Sequence, residues 1–234
     1  MTAPATTTTD AALARLLAWL SPAYPVGAFS YSHGLETAVE DGLVARRDDL
    51  VAYAEAALLH GAGAVDAGLL ALAWRAAEAG QDAALDAVTE LAAAWRGTAE
   101  LALEATQPGA AFAQVTQAAW PEPRFAAFAA RHAGRLTHAV ACGAAAGFGG
   151  VPLRAACFAW LAAFAANIVS AGVRLVPLGQ TDGQVATAAL LPAVEAATDR
   201  ALAVTDAEEL GAAALAIDIF SMRHETQYTR LFRS

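Results

Sequence analysis

Residues 155–173 run for about 19 positions without a charged side chain, the length of a helix that crosses a bilayer. Much of that run is alanine, and Asn167 and Ser170 interrupt it. A helix buried on all sides at the centre of a bundle needs the same composition, and no second segment offers a partner span. The chain is therefore read as an all-α protein organised round a central apolar helix, with no membrane partner. Alanine supports this, because it raises the hydrophobic content to 57% while favouring helix strongly and adding little transfer energy per residue. A core of that kind gains its stability from close helix packing.

The pattern predicts a single-domain bundle of roughly eight to ten helices and no sheet. Asp10 caps a helix over residues 10–20. Ser30 or Ser32 caps a second one through Glu36 to residue 41, closed by Gly42. Residues 48–79 read as helix kinked or split near His60 by Gly61 and Gly63, and residues 81–106 as one helix burying Leu85, Val88, Leu91, Trp95 and Leu101. Pro108 and the Pro121-Glu122-Pro123 pair start two short pieces. Residues 135–147 and 152–172 form an apolar pair, and residues 182–204 a helix bent at Pro192. Thr205 with Glu208 reads as a capping box for a last helix running from Asp206 toward Tyr228.

Charge removes several function classes. The formal net charge is −9, which argues against nucleic acid, since phosphate binding needs a basic face. All 14 basic residues are arginine, so a P-loop lysine and a Schiff-base lysine are excluded. Cys142 and Cys157 lie in apolar helical sequence and read as buried reduced thiols. Residues 1–9, with threonines and no basic patch, read as a disordered tail of a cytoplasmic protein, not as a signal peptide. Residues 10–222 then form the helical domain and residues 223–234 a docking tail.

No catalytic set assembles. His224-Glu225 begins a zinc-protease motif, but position 228 is Tyr, so the second histidine is missing. His138 and Cys142, four apart, give two ligands where a stable metal site needs three or four. Gly147-Phe148-Gly149-Gly150 follows a helix and lacks phosphate-binding spacing, so it reads as a turn. Glu100 and Glu104 share a helix face as surface acids commonly do. No cofactor is expected. The alternative to a non-enzyme is an α-helical enzyme using His33 or His224 with a carboxylate, which needs a pocket that brings the two within hydrogen-bond reach.

Two segments stand out. Residues 21–36 break the helical pattern with Pro22, Pro25, Gly27 and Gly34, yet carry Tyr24, Val26, Phe29 and Tyr31 where a solvent loop would carry charge. The chain end places Leu231 and Phe232 among Arg223, Arg230 and Arg233. Helix-dipole complementarity accounts for basic groups there but not for the apolar pair; aromatic and arginine together compose an interface anchor.

Three stretches carry a family resemblance. Pro25, Gly27, Phe29, Ser30, Gly34, Leu35 and Glu36 match the N-terminal signature of the urease accessory protein UreF family. Residues 173–184, with Arg174, Leu178, Gly179, Gln180, Gly183 and Gln184, resemble its middle motif. Residues 221–234, with Met222, His224, Glu225 and the closing Arg230-Leu231-Phe232-Arg233-Ser234, resemble its C-terminal motif. The resemblance implies an all-α, non-catalytic, homodimeric scaffold for urease maturation, joining UreD (also called UreH) to the GTPase UreG so that nickel reaches apo-urease. It implies partner contacts at Phe29, Ser30, Tyr31, Ser32 and His33, and at Arg223, His224, Glu225, Tyr228, Arg230, Leu231, Phe232, Arg233 and Ser234. UreD would meet the tail, and UreG a surface formed on the dimer. Arg174, Gln180 and Gln184 would shape the dimer interface or order the core through hydrogen bonds. Residues 98–109 depart from the pattern, with Ala99, Ala102 and Pro108 where relatives carry arginines and a methionine; only Glu100 is carried over there.

Overall fold

A computed structural model describes residues 7–234. The expected tail therefore lies mostly outside the described residues. Of its last positions, Thr9 caps the first helix, its hydroxyl accepting from the Ala12 amide at 3.2 Å.

The elements in order are α1 (Asp10–Trp19), a 3-10 turn (Ala28–Ser30), α2 (Leu35–Glu40), α3 (Arg47–His60), α4 (Ala62–Glu78), α5 (Asp82–Ala94) and α6 (Ala99–Ala119). There follow α7 (Pro123–Arg131), α8 (His138–Phe148), α9 (Leu153–Leu175), α10 (Gln180–Ala189), α11 (Leu191–Ala203), a second 3-10 turn (Ala207–Glu209) and α12 (Leu215–His224). No strand occurs among the described residues. The all-α class holds, with more helices than expected because several expected ones are divided.

The divisions have local causes. The helix expected over residues 81–106 stops at Ala94, and Thr98 starts a new one by accepting from the Leu101 amide at 3.0 Å. Pro108 then lies inside α6 instead of opening a helix. Gly109, next to it, lets α6 lie against the backbone before α8: a Cβ there would stand 2.1 Å from the Leu136 carbonyl oxygen. At the far end, the Glu209 carboxylate, not Glu208, takes the Thr205 and Asp206 amides at 2.6 and 3.1 Å. That closes only a 3-10 turn, and the last helix begins at Leu215.

The centre of the bundle is α4 packed on α8. α4 buries Val65, Leu69, Leu70, Ala71 and Ala73 round most of its circumference. Gly143 and Gly147 of α8 face the α4 backbone so closely that a Cβ would come within 2.4 Å of the Leu70 oxygen and 2.6 Å of the Trp74 oxygen. Gly147 is thus a packing residue within a helix, and the reading of residues 147–150 as a plain turn is corrected for it. α9, expected at the centre, instead buries one side: Cys157, Leu161 and Ile168 are inaccessible while Ser170 is exposed. The run that begins α9 and the stretch Arg47–Glu78 are long and apolar enough to cross a membrane by composition, but Gly61 interrupts the second and both contribute core to the bundle. Leu50, Leu58, Leu69, Leu70 and Leu161 are fully buried, each worth about 1.5–3 kcal/mol of transfer energy.

Candidate functional site

The first and last motifs of the sequence meet in space. α12 ends at His224, the chain turns and bends, and residues 231–234 then lie beside residues 30–32. The Arg233 amide donates to the Ser30 carbonyl at 2.8 Å, and the Ser32 amide to the Ser234 carbonyl at 2.8 Å. Exposure alternates along this strip, with Leu231 and Arg233 outward and Phe232 and Ser234 buried.

Three carboxylates from α2 and α6 organise the strip. Glu36 accepts the Leu231 and Phe232 amides at 2.6 and 2.9 Å and faces His224 Nε2 at 3.1 Å. Glu100 faces Nδ1 of the same fully buried imidazole at 2.9 Å and accepts from Arg230 at 3.2 Å. The ring thus has a carboxylate partner at each nitrogen, so neither is left unmet in the interior. Glu104 accepts the His33 amide at 3.0 Å, meets His33 Nδ1 in an ion-pair contact at 2.8 Å, and takes the Ser234 hydroxyl. Burial works against the charge on His33, but the charge and hydrogen bond of Glu104 outweigh it and hold the ring above its ordinary 6.5. Burial likewise pushes Glu104 up, and the His33 and Ser234 contacts more than reverse this, leaving it below 4.5.

The turn that delivers His33 is unusual. His33 and Gly34 have φ of 56° and 74° in succession, a left-handed pair that L-residues other than Asn, Asp and His rarely begin. Gly34 is needed on a second count, because a Cβ there would stand 2.9 Å from the Ser221 amide of α12. Tyr53 fixes the turn from α3, donating to the His33 carbonyl at 2.8 Å.

Arg174 ties the middle motif to the other two. From the end of α9 it donates to the Phe29 carbonyl at 2.8 Å, and its guanidinium lies over the Phe232 ring at 4.3 Å. Gln107 joins the same ends by accepting from Tyr31 at 2.7 Å and Arg233 at 2.9 Å. Gln180 and Gln184 lie elsewhere, exposed on α10.

The expected contact residues divide into two sets. Tyr31, Ser32, His224, Phe232 and Ser234 are buried and hold the strip to the bundle, while Ser30 and His33 are half-buried in it. Phe29, Arg223, Glu225, Tyr228, Arg230, Leu231 and Arg233 are exposed; Glu225 accepts the Ala99 amide, and Arg223 pairs with Asp41 at 2.9 Å. Glu36, matched in the first motif but not expected as a contact, and Glu104, outside all three motifs, are further site residues, and Glu100 and Glu104 are buried acids, not the surface pair expected. Their signal is spacing: two acids one turn apart in an otherwise apolar helix stretch.

His138 and Cys142 stand 3.4 Å apart, and Trp160 donates to His138 at 3.2 Å. Burial pushes His138 down to about 4, so it is a neutral core histidine. Among the described residues no group of three His, Cys, Asp or Glu side chains converges as a metal site would require.

A family model described as UreF matches residues 44–191. The chain is 61% identical over 232 residues to the urease accessory protein UreF of Granulibacter bethesdensis, covering 99% of this chain and 98% of that one. It is 52% identical over 224 residues to the UreF of Rhodopseudomonas palustris strain HaA2, covering 96% and 94%. The UreF of Methylorubrum populi is 49% identical over 220 residues, covering 94% and 98%.

Proposed function

The chain belongs to the UreF family of urease accessory proteins, and on that premise we propose that it is a non-catalytic scaffold joining UreD (UreH) to the GTPase UreG while nickel is passed to apo-urease. Nickel is cargo in this reading. The observation that carries it is the division of the tail: Glu36, Glu100 and Glu104 hold its buried half, and this presents Phe29, Tyr228, Arg230 and Leu231 outward. A surface so ordered loses little entropy when a partner docks. Tyr228 is fully exposed and Leu231 and Phe29 are about two-thirds exposed; aromatic, aliphatic and arginine side chains of this kind form the anchors of interfaces. UreD is assigned to this tail surface, and UreG to a surface completed by a homodimer, where exposed Gln180 and Gln184 of α10 offer one face.

Deleting residues 223–234 would also strip three buried carboxylates of their partners, so the test uses exposed side chains. A Tyr228→Ser, Leu231→Ser double variant is expected to keep its circular dichroism and melting temperature and to lose co-purification with UreD. Unchanged affinity for UreD would overturn the assignment.

His33 and Glu104 give the enzyme alternative its one pair within reach, since His224 is sealed from solvent. The two readings separate on Glu104→Gln in a urease-maturation assay supplied with excess nickel and UreG. A scaffold loses activity only as far as it loses UreD binding, whereas a catalyst loses it with binding intact.

A further inference from the structure

α12 buries Ile217, Ser221 and His224 against α2 and α6, and its opposite side is also apolar. Leu215, Ile219 and Met222 stand 69%, 43% and 49% exposed, at the i, i+4 and i+7 spacing that puts them on one face. Asp218 lies on the same face at i+3, half-buried between that stripe and the core, and still reaches solvent. Burial pushes its carboxyl above the ordinary 3.8, and no cation or hydrogen-bond donor among the described residues offsets this. The nearest cation along the helix is taken, since Arg223 pairs with Asp41 at 2.9 Å. An apolar stripe with one unanswered acid set into it is the pattern of an interface whose other half lies on another molecule.

We propose that this face of α12 docks a partner helix that is apolar where it meets Leu215, Ile219 and Met222 and sets one arginine or lysine against Asp218. The spacing selects a helix, because anchors at i, i+4 and i+7 are how one amphipathic helix is read by another. The acid selects the cation: a wholly apolar partner covering the stripe would bury Asp218 unpaired, whereas a cation at that point answers it. A second copy of this chain fails the same condition. Two α12 helices meeting on this face about a two-fold axis would cross midway between Leu215 and Met222, and each Asp218 would meet the other with no free cation beside it. This docking rests on the scaffold reading for the partner's identity: α12 runs directly into the tail assigned to UreD, so the helix is placed on UreD.

Asp218→Asn keeps the shape of the side chain and removes its charge. It is expected to hold its melting temperature, to weaken UreD binding by about tenfold, and to flatten the salt dependence of that binding. Asp218→Glu, which keeps the charge, should recover most of the affinity. The contact itself is read with Ile219→Cys carrying benzophenone maleimide, a label that finds the introduced thiol because Cys142 and Cys157 are buried. Illumination in the presence of UreD is expected to cross-link a UreD helix that carries an arginine or lysine within one turn of the attachment point. Should the labelled variant fail to fold, the Asn and Glu variants at position 218 still decide. Full UreD affinity in Asp218→Asn, a cross-linked segment with no such cation, or cross-linking to a second copy of this chain would overturn the proposal. The tail is judged apart, by the Tyr228→Ser, Leu231→Ser variant. If that variant loses UreD and Asp218→Asn does not, only the α12 contact falls; if Asp218→Asn loses it and the tail variant does not, only the tail assignment falls.

Discussion

His224 stands between Glu36 and Glu100, with one carboxylate at each ring nitrogen, 3.1 and 2.9 Å away. The three residues come from α12, α2 and α6, so one buried imidazole joins both ends of the chain to the middle of the bundle. Burying ionisable groups is costly, and the mutual attraction of a paired cluster does little more than return that cost. The network's contribution is therefore to conformation: with every partner in place, the tail has one seat.

Removing one member exposes that balance. Glu36→Ala leaves His224 Nε2 and the Leu231 and Phe232 amides buried without acceptors, and a broken buried pair costs about 3–5 kcal/mol. The expected outcome in urea denaturation is a loss of that size. Hydrogen exchange should rise first in residues 225–234, with the α4 and α8 amides still protected. Equal acceleration in both places would mean that the tail is not a separate unit.

The central helix pair responds to volume instead of charge. Gly143→Ala puts a methyl group against the Leu70 carbonyl, and α4 has no free space into which to move, so a loss of about 1–3 kcal/mol is expected. Gly97→Ala is the control, because a Cβ there meets nothing within 4 Å and its backbone is not left-handed. A melting temperature lowered by Gly143→Ala and held by Gly97→Ala checks the close approach of α4 and α8.

Much of this was legible in the chain beforehand, and the exceptions have physical reasons. Helix boundaries set by glycine and proline were readable where the breaker acts locally, as at Gly61 and Pro192. They were misread at Pro108, which α6 carries in its interior, and at Thr98, whose capping hydroxyl decides where the helix restarts. The central helix was misplaced because composition does not distinguish an apolar helix buried on one side from one buried all round; α4 holds the centre through glycines on its partner α8, a property of the pair. The first and last motifs and Arg174 come together while Gln180 and Gln184 do not, and the acidic partners in α6 were hidden. Glu100 and Glu104 look like any exposed i, i+4 pair until the tail is seen to lie over them.

Acidity gives the tail a window. His33 is held above its ordinary 6.5, so the stability it contributes is fully present below that value and is lost as pH rises through its folded-state pKa. Glu104 is held below 4.5, so its contribution is present above that value and is lost as pH falls through its own folded pKa. Both contributions are complete between about 4.5 and 6.5, and tail protection in hydrogen exchange is expected to peak there, after correction for the intrinsic exchange rate. His33→Gln should remove the alkaline decline attributable to this pair. An unchanged alkaline limb in that variant would assign it to another group.

Arg174 distinguishes a tail that is merely folded from one that must be folded to work. Its guanidinium makes two contacts that a lysine ammonium does not reproduce together, a cation–π contact over the Phe232 ring and a hydrogen bond to the Phe29 carbonyl. Arg174→Lys keeps the charge and removes that geometry, at a cost of about 1 kcal/mol. Because the residue touches both segments, the amides of Arg233 and Tyr31 should gain exchange together, while α4 and α8 are undisturbed. If the exposed side chains dock UreD only when the strip beneath them is ordered, affinity for UreD should fall several-fold in this variant, although no exposed tail side chain has changed. Loosened amides with full UreD affinity would mean that the partner itself orders the tail, and that ordering before binding contributes nothing.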